Sequence, residues 1–197
     1  SRKEPGVTRY TITIPQDPQD HKSIYIIEEY ADQAALDSHM SSAAVSNLIK
    51  LFSSDASLFG GTTNVYNLET AFSFSRSETT KADDPYIVFA TLDYNEGTRA
   101  GALNGWQQVT LESQRNELGT LGYAILKDKD HPNIMRTVEV YETEKYLWDV
   151  HEKSAAVTKN KSEHGEIRTN VKFAFLKFVA GFLTRTSKPQ ICRVFPI

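Results

Sequence analysis

The chain has 197 residues, 40% apolar and 24% charged, with 22 basic against 25 acidic side chains and a net charge of −3. That composition suits a folded core. It excludes a disordered chain, a nucleic-acid binder built on basic runs, and a helical membrane span of about 18–20 apolar residues. A single cysteine, Cys192, excludes an internal disulfide and a cysteine-held zinc.

In chain order, residues 7–14 alternate Tyr10, Ile12 and Ile14 with threonines and read as a strand. Residues 24–30 form a second, and a helix is predicted from about 32 to 53. Gly60-Gly61 reads as a loop hinge, 65–74 as a strand, and the polar 75–85 as a linker. The run YIVFATLDY at 86–94 is a strand by its β-branched and aromatic content. Residues 98–116 carry Leu103, Trp106 and Val109 at helical spacing, and Gly119 ends that helix. Residues 122–127 and 135–141 are strands joined by a turn-rich segment, a helix runs from about 144 through 157, and 171–179 is a strand. The apolar tail after 184 is short enough to dock on the body or on a neighbouring chain.

The chain repeats itself. His39 and His151 each open H-x-x-S-A-A-V, 112 residues apart. Glu4-Pro5-Gly6 leads to Tyr10 by the spacing with which Glu117-Leu118-Gly119 leads to Tyr123. Between them lie Glu28 with Tyr30 and Glu139 with Tyr141. Five features in one order identify a tandem duplication. The second copy reads β-α-β-β-α-β, a ferredoxin-like unit, so the fold class is α+β. The predicted divisions are a first repeat at 1–74, a linker at 75–85, a second repeat at 86–183 and a tail at 184–197. The first copy shows no counterpart of the strand and helix at 86–116. Because that strand is central in a ferredoxin-like sheet, its loss would strand backbone groups without partners. The sequence therefore predicts that one strand and one helix are missing from the first repeat. Apolar runs such as Ile24–Ile27 imply cover on both sheet faces, which two facing sheets would supply as an intramolecular α+β barrel.

E-P-G-x-x-x-Y opening a strand, E-x-Y closing the next and His near a helix start resemble the antibiotic biosynthesis monooxygenase family, over 4–74 and 86–183. The arrangement is similar to tandem members whose fused halves replace a homodimer. The resemblance implies cofactor-independent oxygenation of an electron-rich aromatic molecule by dioxygen, in secondary metabolism. The superfamily also holds haem-degrading enzymes, non-oxidative cyclases or isomerases, and members with no shown activity, so a vestigial binding or structural protein is the rival from another class. Leu118 departs from the family's proline, in a turn.

His151 and His39 are the candidate catalytic groups, each with a leucine before it and an alanine four residues on that set it on an inward helix face; a buried histidine tied to a carbonyl is the plain alternative. Glu139 and Glu28 are candidate orienting carboxylates, with strand-end ion pairs as the alternative. Trp148, Tyr141, Tyr123, Tyr30, Tyr10 and Trp106 are candidate pocket walls, equally explained as core. His21, His131 and His164 make no metal-ligand spacing, and no phosphate-binding glycine loop follows a strand. No cofactor is expected. The expected partners are a small aromatic substrate and dioxygen, with neither nucleic acid nor membrane, and a homodimer of pseudo-dimeric chains stays open. The expected compartment is the cytoplasm, secretion being left open. Gly101-x-x-x-Gly105 reads as a site of close helix packing.

Overall fold

The alternating and β-branched segments become eight strands. They are β1 (Val7–Pro15), β2 (Tyr25–Tyr30), β3 (Tyr66–Ser75), β4 (Tyr86–Tyr94), β5 (Thr120–Asp128), β6 (Ile134–Tyr141), β7 (Arg168–Phe182) and β8 (Ile191–Pro196). The helices are α1 (Gln33–Met40), α2 (Ala43–Ser54), α3 (Arg99–Asn116), the short α4 (Glu144–Tyr146) and α5 (Ala155–His164). This computed structural model describes residues 1–54, 63–185 and 189–197, and the hinge expected at Gly60-Gly61 lies outside them. The strands close into one barrel in the order β1-β2-β8-β3-β5-β6-β4-β7, sealed by β7 against β1.

The second repeat contributes β5-β6-β4-β7, the ferredoxin-like order. In the first repeat, β8 sits between β2 and β3, antiparallel to both, as β4 sits between β6 and β7. The strand slot that the sequence leaves empty is thus filled by the chain's own tail. Cys192 and Val194 of β8 pair with Leu68 and Tyr66 and are fully buried. No described helix takes the place over the first repeat's sheet that α3 takes over the second. As a result α2 buries none of its residues, and Leu48, Ile49 and Leu51 are exposed.

Strand alternation divides the apolar residues into two cores. Ile27, Leu68, Ile87, Leu126, Val138, Leu176 and Val194 fill the barrel. Val88, Ala90, Leu92, Ile125 and Met135 face outward and are covered by Trp106 and Val109 of α3 and Val157 of α5. Burial on both faces explains the continuous apolar run of β4, in which each buried Ile, Val, Phe or Leu contributes about 1.5–3 kcal/mol. Gly105 allows α3 to lie against Asn160 and His164 of α5, whereas Gly101 faces open space. The expected linker is ordered: Thr79 is buried in a 3-10 turn, and Arg76 donates to the carbonyls of Ser113, Gln114 and Glu117 that end α3.

Two helix expectations need correction. The predicted helix at 32–53 is two helices, and the one at 144–157 is broken as well. His39 lies in the last turn of α1, and Ser42 then accepts the Val45 N–H at the start of α2. His151 ends a π-helical turn (Leu147–His151), and Ser154 then caps α5 through the Val157 N–H. The shared heptapeptide is therefore a histidine followed by a serine N-cap. Its alanines, Ala43 and Ala155, are exposed and share no buried face with the histidine.

Candidate functional site

The five repeated features converge. In the second repeat His151 is 2% exposed, and its Nδ1 lies 2.7 Å from Glu117 Oε2. Glu117 follows α3, and Gly119 lets the turn approach Tyr146, where any side chain would overlap the ring. Thr120 donates to the same carboxylate oxygen at 2.8 Å, and Ser113 Oγ lies 3.4 Å from His151 Nδ1. Burial works to raise the Glu117 carboxyl, but hydrogen bonds from His151, Thr120 and Ser113, with the histidine's charge, hold it below the usual range. A carboxylate on Nδ1 fixes the proton there and leaves Nε2 as the acceptor.

The rings of Tyr123 and Tyr141 flank the imidazole, each centroid at 5.2 Å. Glu139 is not the carboxylate on the histidine; it accepts from Tyr141 at 2.7 Å and from Thr137 at 2.7 Å. Burial first, and then the charge of Glu139, raise both tyrosines well above their ordinary value, so they are donors and not bases.

A cavity of about 260 Å³ lies between this sheet and its helices, lined by His151, Tyr123, Glu139, Trp106, Trp148 and Phe175 among others. The π-helical turn widens the helix where Leu147 and His151 face it, a distortion frequent at functional sites. Trp148 is 43% exposed and packs on Phe175 at 5.9 Å, forming the rim. Trp106 is deeper, its N–H donated to Tyr94 at 2.8 Å. Tyr141 lies behind the histidine and off the wall.

The first repeat copies the constellation with different chemistry. His39 Nδ1 meets Glu4 at 3.0 Å, with Tyr10 and Tyr30 at 6.1 and 5.5 Å. Tyr30 donates to Glu28 Oε2 at 2.5 Å. Register places Ile26 where the second repeat has Thr137, so Glu28 has the tyrosine donor but not the threonine one, and its Oε1 lies 3.8 Å from His39 Nε2. Burial raises the Glu28 carboxyl against the opposing effects of Tyr30 and His39. His39 is thus bracketed by two carboxylates, and the open hollow beside Tyr10 and Glu4 does not include it.

Glu117 and Glu4 were legible as repeat markers but not as the histidines' partners. Thr137, Ser113 and Phe175 gave no sequence signal at all. His21, His131 and His164 stand apart, His131 pairing with Asp128 at 3.2 Å. No described helix is long and apolar enough to cross a membrane.

A family model described as antibiotic biosynthesis monooxygenase matches residues 1–51 and 85–161. No curated protein matches the chain. Among solved structures, a protein of Lactobacillus acidophilus provisionally assigned as a monooxygenase superposes with a TM-score of 0.71 at 12% identity, covering 95% of this chain and 83% of its own. A similarly assigned protein of Fusobacterium nucleatum gives 0.70 at 16%, covering 94% and 82%. At those identities the likeness shows the fold.

Proposed function

We propose that this chain, which belongs to the antibiotic biosynthesis monooxygenase family, is a cofactor-independent monooxygenase of a small electron-rich phenol, acting in secondary metabolism in the cytoplasm. The observation that carries this reading is His151: buried, held through Nδ1 by Glu117, and bordering an apolar cavity with Nε2 uncommitted among the described residues. The cavity is smaller than the about 300–1,000 Å³ of drug-sized sites, which fits a one- or two-ring substrate.

Nε2 would take the phenol proton while the apolar walls keep water from the anion. The phenolate passes one electron to dioxygen, and the radical pair recombines at a ring carbon that bears hydrogen. Loss of water from the resulting hydroperoxide leaves a quinone carbonyl, so one oxygen atom enters the product and the other leaves as water. Trp148, Phe175 and Tyr123 would hold the ring. The division into repeats at 1–74 and 86–183 is part of this reading, with the second repeat as the working half.

Oxygen uptake on 1-naphthol and anthrone tests it. Uptake equal to quinone formed is expected, falling at least tenfold, about 1.4 kcal/mol in the barrier, in His151→Asn and unchanged in His39→Asn. Conversion of these compounds without oxygen uptake would instead assign a cyclase or isomerase. Binding without turnover would assign a binding protein.

A further inference from the structure

At one level of the barrel the two repeats differ in kind. The second sets Gly122 against Val140, and the first sets Arg9 against Glu29. The positions are equivalent, because Tyr10 faces Glu28 as Tyr123 faces Glu139, and the same bulge precedes both pairs. Glycine and valine complete this level in one half, so the fold does not require charge there. Yet Arg9 and Glu29 are 2% and 4% exposed, and burying two ions carries a large desolvation cost.

They are also poorly satisfied by one another. Arg9 Nε lies 3.5 Å from Glu29 Oε2 and donates instead to the Leu183 carbonyl at 2.9 Å. The terminal guanidinium nitrogens have no hydrogen bond to a described residue, and Glu29 Oε1 and Thr8 Oγ1 are buried without a partner among them. Burial pushes the Glu29 carboxyl up, with Arg9 opposing. Beside these groups lies a cavity of about 230 Å³, also walled by Ser73, Ser75 and Thr184 and sharing no residue with the cavity at His151. Arg185 borders it too, but donates to the carbonyls of Arg2 and Glu4.

We propose that this cavity binds a small free α-amino acid as its zwitterion, carboxylate on Arg9 and ammonium on Glu29. A guanidinium fork matches a carboxylate with two parallel donors, and an ammonium supplies the donor that Glu29 Oε1 lacks. Each buried charge then gains a partner and the net charge of the cavity is unchanged. A simple carboxylate would leave Glu29 unpaired, and a simple amine would do the same to Arg9. The volume equals about eight waters at roughly 30 Å³ each, which suits molecules from serine to leucine in size. The site is independent of the chemistry at His151.

Calorimetric titration and thermal melts with L-serine, L-threonine, L-valine and L-leucine test it, with acetate and methylammonium as half-ligands. At least one amino acid binds at one per chain and raises the melting temperature, and both half-ligands bind at least tenfold more weakly. Arg9→Met and Glu29→Gln each weaken binding at least tenfold. The double variant Arg9→Gly with Glu29→Val installs the second repeat's own pair and abolishes binding, circular dichroism reporting its fold; the single variants read the same loss if it does not fold. The proposal is overturned if none of the four amino acids binds, if acetate binds as tightly, or if binding survives in the double variant.

Discussion

Replacing Glu117 by glutamine keeps a carbonyl oxygen within reach of His151 Nδ1 and removes the charge behind it. With Nδ1 2.7 Å from the carboxylate oxygen, the charge centres of imidazolium and carboxylate are about 4 Å apart, worth about 4 kcal/mol at an effective dielectric of 20. If the proton is half transferred in the transition state about 2 kcal/mol is lost, and if fully transferred about 4. Glu117→Gln is therefore expected to lower kcat by about 30- to 1,000-fold. Glu117 is absent from the cavity wall, so KM should move less than about threefold. That split marks a positioning residue. Oxygen uptake over a range of substrate concentrations measures it, and an unchanged kcat, or a loss confined to KM, would refute the role.

The same substitution makes a prediction about acid. The Glu117 carboxyl is held below its ordinary value of 4.5 in the folded chain. Its contribution to stability is present above that value and is lost as pH falls through the lower, folded one. Urea midpoints of wild type and Glu117→Gln should therefore differ at about pH 5, and the difference should shrink as pH falls through the lower, folded value. A gap that widens in acid would reverse the sign of the argument.

Val194→Asp sets an unpaired charge on a fully buried position of β8 and should cost about 3 kcal/mol or more in urea unfolding; a loss under 1 kcal/mol would mean that β8 is not part of the barrel. Trp148→Ala, at the exposed rim, should raise KM about two- to tenfold through lost ring stacking and leave the melting temperature unchanged; an unchanged KM would remove Trp148 from the substrate's path.

The pattern of two diverged copies carried most of what could be read in advance, because a polar residue kept at matched positions in both, such as Glu117 with Glu4 or His151 with His39, needs a reason in each. What escaped was pairing across the chain. Cys192 and Val194 alternate as a strand should, but nothing local says that their partners are Ile27 and Leu68. The break between histidine and serine escaped because serine inside a helical pattern and serine capping the next helix look alike until the backbone turns. Glu28 and Glu139 read as candidate orienting carboxylates because each shares a strand face with a tyrosine. In the fold that sharing gives each glutamate to its tyrosine and leaves the histidine to the glutamate 34 or 35 residues before it. The feature that separates the two halves is smaller still. Thr137 holds Glu139 away from the imidazole, whereas Ile26 cannot do so for Glu28. One residue two positions before a glutamate therefore decides whether the histidine meets one carboxylate or two, with histidine, tyrosines and both carboxylates present in each half.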